Sequence, residues 1–101
     1  MEILDSRQLR AFQEVAHQGS FTSAAVELSL TQSAVSHSLK ALEGDLEVQL
    51  IQRAGKDIQL TEAGQILLGH AEKILQHMKE AREGIRALGL SEQEIETNAS
   101  R

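Results

Sequence analysis

Gln32, Ser33, Ser36, His37 and Lys40 crowd into one stretch, Leu28–Leu42, which reads LSLTQSAVSHSLKAL and contains neither Asp nor Glu. Elsewhere the chain is acidic, with 15 acids against 10 bases and a formal net charge of −5, and Glu27 and Glu43 bracket the stretch. Gln offers an amide donor beside an amide acceptor, Ser a hydroxyl that does both, His a ring nitrogen and Lys a cation. Side chains of this kind recognise flat hydrogen-bonding edges and phosphates without breaking bonds. Other chemistry finds little support. His17, His37, His70 and His77 offer no metal pair, because the last two stand seven residues apart, two helical turns rather than one. No Ser, His and Asp grouping falls in a catalytic context, and Gly55, Gly64, Gly69, Gly84 and Gly89 do not compose a phosphate loop. No enzymatic activity, metal or cofactor is expected. The absence of Cys excludes thiolate chemistry and fits a reducing compartment.

To act together these residues must share a helix face. With Val35 placed at zero and about 100° per residue, Leu39, Leu42 and Leu46 fall within roughly 40° of it and face a core. Ser33, Ser36, His37 and Lys40 fall roughly 100° to 200° away, with Gln32 near one edge at the first turn. A helix enters the major groove of a duplex when its outward side chains are short and hydrogen-bonding, and a carboxylate there would meet phosphate repulsion. Gln pairs bidentately with adenine, Ser reaches several bases, and Lys and His meet guanine acceptors or phosphate. The expected partner is double-stranded DNA.

The elements that would hold this face follow from caps and periodicity. An Asp5–Gln8 capping box, then Leu9, Phe12, Val15 and Ala16, predict a first helix over Ser6–Gln18 that Gly19 ends. Ser20 caps a short second helix, Phe21–Leu28, and Thr31 a third, Gln32–Leu46. The tight turn between them makes a helix-turn-helix unit, with Leu30 where Gly is common. Between Glu47 and Leu60 the spacing changes to alternation, Val48, Leu50, Ile58 and Leu60 around Ala54-Gly55-Lys56, which predicts a two-stranded wing. Thr61 caps a fourth helix, with Glu62 in its first turn.

Along that last helix Leu67, Ala71, Ile74, Met78, Ala81, Ile85 and Leu88 are spaced 4, 3, 4, 3, 4 and 3, the seam of a coiled coil. A helix of roughly 28 residues reaches about 40 Å, beyond a sixty-residue body, so the seam should meet a second copy in a homodimer. Ser91–Glu94 repeats a capping pattern and suggests a fifth short helix. The chain is therefore expected to be mainly α: a winged helix-turn-helix over residues 1–60, a long linker and dimerisation helix over 61–89, and a tail over 90–101.

Charge argues the other way. Residues 1–60 hold five bases and eight acids, and residues 61–101 hold five and seven, whereas nucleic-acid binders are usually basic. The bases must then be gathered on one face, or the chain is instead a helical protein-interaction module whose seam is its function. Glu2, Asp5, Arg7, Arg10 and Glu14 interrupt any signal peptide, and no run approaches eighteen apolar residues, so a cytoplasmic location away from membranes is expected.

Several motifs in order and spacing, Gln8-Leu-Arg-Ala-Phe12, Gly19-Ser-Phe-Thr-Ser-Ala-Ala25, Gln32-Ser-Ala-Val-Ser-His37, Leu42-Glu43, Val48-Gln-Leu50, Arg53 and Leu60-Thr-Glu-Ala-Gly64, resemble the N-terminal part of LysR-type transcriptional regulators over about residues 3–89. The resemblance implies a third helix that reads the major groove through Gln32, Ser33, Ser36 and His37. It also implies a wing whose Arg53 meets the backbone or minor groove, phosphate contacts from Thr22 and Thr31, and linker helices paired antiparallel. Lys56 stands where the family has a wing Arg and joins Lys40 in the expected DNA-binding set. The family usually has Pro at Ser33, Arg at His37, Gly at Glu47 and Phe at Ile51. His37 substitutes a titratable group for a permanent cation, which makes binding more sensitive to pH where its charge contributes. The site implied is an interrupted two-fold one. Members carry an effector-binding domain after the linker, so this chain is expected to be one portion of a longer regulator. Any small-molecule effector or assembly beyond the dimer would belong to that whole.

Overall fold

Side-chain caps decide where each helix of this computed structural model begins. Asp5 Oδ1 accepts from the amides of Arg7 and Gln8 at 2.8 and 3.2 Å, and Ser20 Oγ from that of Ser23 at 3.1 Å. Thr31 Oγ1 accepts from Ala34 and Thr61 Oγ1 from Gly64, each at 3.0 Å. Every such cap answers an amide that has no partner inside its helix, and losing one costs about 1 kcal/mol. The structure describes residues 2–55 and 57–89. Its order is α1 (Ser6–Gln18), α2 (Phe21–Leu28), α3 (Gln32–Leu46), β1 (Ile51–Ala54), β2 (Asp57–Leu60) and α4 (Glu62–Arg86). The fold is the mainly helical winged arrangement that the sequence predicts. The fifth helix expected at Ser91–Glu94 lies outside the described residues.

α1, α2 and α3 end by left-handed turns. Gly19 takes φ 66°, but Ser29 and Glu47 reach φ 56° and 54° with side chains attached. In the helix-turn-helix corner Ser29, rather than Leu30, takes the position that favours glycine, while the Leu30 amide donates to Ala25 O at 2.9 Å. The left-handed φ of Glu47 accounts for the glycine that the resembling family prefers there.

α1 is the hub, packed against α2, α3, α4 and β2. Leu9, Phe12 and Val15 from α1 meet Ala24 and Ala25 from α2, Val35, Leu39 and Leu42 from α3, Leu50 and Ile51 at the wing, and Ala71 from α4. With so few aromatics, branched aliphatics and alanines close the interior, and only Phe12 supplies a fully buried ring.

Two expectations shift here. Leu46, placed by its angle on the core face of α3, is 37% exposed, because it occupies the last turn and the chain leaves the helix at Glu47. Val48 is also exposed and precedes the wing. Residues 47–50 are spent on the reversal after α3, with the Val48 amide bonded to Glu43 O at 3.2 Å, so the first strand opens only at Ile51. β1 and β2 pair antiparallel, Ile51 with Leu60 through Ala54 with Asp57.

α4 begins on the body and leaves it. Ala71 is fully buried in the core, and Ala63, Leu67, Leu68 and Leu75 pack against it. Ile74, Met78, Ile85 and Leu88 are exposed. The helix stops at Arg86, and a turn carries the chain to Gly89 at φ 76°, short of the helical span of 61–89 expected. The molecule measures 55 × 32 × 19 Å. Among the described residues no helix is long and apolar enough to cross a membrane.

Candidate nucleic-acid interface

The outward face of α3 is where the spacing puts it. Gln32, Ser33, His37 and Lys40 are exposed, Ser36 is half-buried, and the five line one open hollow of about 360 Å³. Val35, Leu39 and Leu42 hold the opposite face in the core. Helix direction therefore comes from apolar burial, and the polar set is what remains outside.

Neighbouring elements extend this face. Thr22, the second residue of α2, donates its hydroxyl to Gln32 Oε1 at 3.3 Å, so the starts of α2 and α3 adjoin. Thr31 uses its hydroxyl oxygen as the α3 cap, which leaves the hydroxyl proton free to donate. From the wing, the Arg53 guanidinium lies 5.4 Å from the centre of the Phe21 ring, a cation–π placement that restrains an otherwise mobile side chain. A groove of about 330 Å³ separates α3 from the wing, with Ser36, Lys40 and Glu43 on one wall and Ile51 and Arg53 on the other. Thr22, Gln32 and Arg53 border a further hollow of about 300 Å³. Shared linings join Thr22, Gln32, Ser33, Ser36, His37, Lys40 and Arg53 into one surface. Lys56 lies outside the described residues.

Sequence reasoning missed two members. Phe21 was expected only as an apolar face of α2, yet it also carries Arg53. Glu43 stands in the groove, with Oε2 accepting from the amides of Leu50 at 2.7 Å and Ile51 at 3.4 Å. No local spacing announces a bond between residues seven and eight apart across a left-handed reversal. On the far side of the same root, the Thr61 amide donates to Leu50 O at 3.0 Å and the Thr61 hydroxyl to Gln49 O at 2.6 Å. A Cβ at Gly64 would overlap the Leu50 carbonyl oxygen, so glycine is required for this approach.

A hollow of about 550 Å³ lies elsewhere. Arg7, Arg10, Lys79 and Arg82 line it between α1 and α4, together with Glu14 and Glu72. It shares no residue with the α3 surface, and the bases it gathers are ones the α3 surface lacks. Among the described residues no group of three or more His, Asp or Glu could hold a metal ion.

Residues 6–65 match the bacterial regulatory helix-turn-helix proteins of the lysR family. The chain belongs to that family. The matched residues run from the start of α1 through the β1–β2 wing into the first turn of α4. An uncharacterized regulator of this helix-turn-helix type from Azotobacter vinelandii, encoded between ibpB and leuC, is 44% identical over 85 residues. Those residues are 84% of this chain and 59% of that protein. The regulator CfxR of Cupriavidus necator is 44% identical over 88 residues, 87% of this chain and 28% of CfxR. In three dimensions the chain is similar to the DNA-binding domain of BenM, solved in complex with catB site 1 DNA. The TM-score is 0.82 at 27% identity, over 87% of this chain and 99% of that one. The LysR family is one of transcriptional regulators, not enzymes, and this chain spans about 60% or less of the curated relatives named.

Proposed function

We propose that this LysR-family domain reads duplex DNA as a homodimer within a transcriptional regulator of the cytoplasm, where the chromosome lies. α3 enters the major groove with Gln32, Ser33, Ser36 and His37 toward base edges. One phosphate strand passes along the groove between α3 and the wing, met by Lys40 and Arg53, while Thr22 and Thr31 approach phosphates at the helix starts. The exposed Ile74, Met78, Ala81 and Ile85 of α4, with Leu88 in the turn that follows, pair with a second copy. Leu67 and Ala71 serve the domain's own core instead. The observation that carries this reading is the exposed face of α3 from Gln32 to Lys40, which holds no carboxylate, continuous with a groove that has a cation on each wall and Glu43 beyond Lys40. The BenM complex supports it by its similar fold. An effector would bind the part of a longer regulator that this chain does not span.

Selection from random duplexes tests the proposal. The expected outcome is a two-fold-related site with half-sites about one helical turn, or a multiple, apart. Gln32→Ala or Ser36→Ala should relax preference at one or two positions by about 1 to 3 kcal/mol, and Lys40→Ala should lower the salt slope by about 1. A dimer that prefers no duplex at low or moderate salt would instead make this a protein-interaction module.

A further inference from the structure

We propose that Glu43 is a positioning residue for the wing: it ties the DNA-reading helix to the root of β1 and thereby sets the separation of Lys40 and Arg53. The inference rests on the DNA-binding reading above.

A two-stranded hairpin is marginal by itself, and its pose depends on what anchors it. Here the anchors converge on one residue. Leu50 is fully buried, so its amide and carbonyl both need partners. The carbonyl is taken by Thr61 at the start of α4. The amide is taken by the Glu43 carboxylate at 2.7 Å, which also accepts from Ile51, the first residue of β1. Arg53 follows two residues later and stands across the groove from Lys40, a residue one turn before Glu43 on α3. The left-handed Glu47 reverses the chain so that Leu50 returns beneath Glu43. One carboxylate therefore couples the helix that reads bases to the strand that carries the wing cation.

The charge itself supports a positioning role. A carboxylate in a groove that takes phosphate lowers affinity unless it does something else there. Two backbone amides directed at one oxygen offset that charge while they fix the strand.

The test compares wild type, Glu43→Gln, Glu43→Ala, Arg53→Ala and the double variant Glu43→Ala/Arg53→Ala on a duplex selected by the wild type. Thermal unfolding and hydrogen exchange at the Leu50 amide are read in parallel. Glu43→Ala should weaken binding about tenfold, as expected for a lost bond to a charged group, while base preference along α3 is kept. Glu43→Gln retains an acceptor oxygen and should recover binding to within about threefold. In the Arg53→Ala background, Glu43→Ala should cost less than about twofold, the signature of two residues that act through one contact. Equal losses in both backgrounds, or wild-type affinity for Glu43→Ala, would overturn the inference. If Glu43→Ala does not fold, the Gln variant and the Leu50 amide decide: strong protection that the Gln variant largely keeps supports the role, and an unprotected amide in the wild type overturns it. A wild type that prefers no duplex would overturn the DNA reading and this inference together, whereas preference without coupling overturns this inference alone.

Discussion

From Glu62 to Leu75, α4 lies on the body: Ala71 is closed off from solvent, Leu67, Leu68 and Leu75 pack against the core, and His17 Nε2 meets Glu72 Oε1 at 2.8 Å. On the side of the helix that begins at Ile74, and beyond, the surroundings are solvent. Ile74 is 39% exposed, Met78 52%, Ile85 54% and Leu88 71%, although their spacing continues the pattern of Leu67 and Ala71 without a break. Periodicity identifies which residues share a face. It does not say whether that face meets the same chain, a second one, or water. The near end of α4 is therefore part of the fold, and the far end carries an exposed apolar stripe, the face proposed above to pair with a second copy.

The comparison can be broken most severely at the near end. Ala71→Glu places a carboxylate in a closed core and should destabilise the domain by more than about 3 kcal/mol, measured by urea unfolding. A small change there would mean that α4 can lift off the body. The matching substitution on the solvent side of the helix, Ile74→Glu, should leave the urea midpoint of the monomer within about 0.5 kcal/mol yet abolish the dimer of the proposed function in sedimentation. Unchanged mass would exclude that stripe as the interface.

A gentler contrast uses two glycines. Gly69 and Gly84 both lie within α4 with open space around them, so alanine at either should favour helix by up to about 1 kcal/mol. Gly69→Ala should raise the thermal midpoint. In the Ile74→Glu monomer, Gly84→Ala should raise helical ellipticity and leave that midpoint unchanged, since the far end frays independently. Equal midpoint gains would show that the two halves unfold as one unit. The smallest effect belongs to His17→Ala, which removes the hydrogen bond with Glu72. Both side chains are 48% exposed, so the loss should be under about 1 kcal/mol in thermal or urea unfolding.

Much of this molecule was legible in local chemistry. Asp5, Ser20, Thr31 and Thr61 mark helix starts because their side chains can bond amides two or three residues on, and the observed spans of α1, α2 and α3 begin and end where the caps and apolar periods put them. The polar face of α3 was legible because Val35, Leu39 and Leu42 leave it only one direction. Less accessible were the ends and crossings. Leu46 lies at the right angle but in the last turn, where burial gives out. Val48 alternates correctly but is consumed by the reversal before β1. The partners of Glu43 and of Arg53 depend on how the chain returns, which no window along the sequence contains.

By itself, then, the sequence determined the helices, their faces, the absence of carboxylates from Leu28 to Leu42 and the family to which the chain belongs, because these depend on neighbours within a few residues. Tertiary structure alone decided that Ala71 is core while Met78 is surface, that Phe21 supports Arg53, and that Glu43 holds the root of the wing. The physical reason is range: caps and periodicity act over one or two turns, but a buried amide takes whichever acceptor the packed chain brings within about 3 Å.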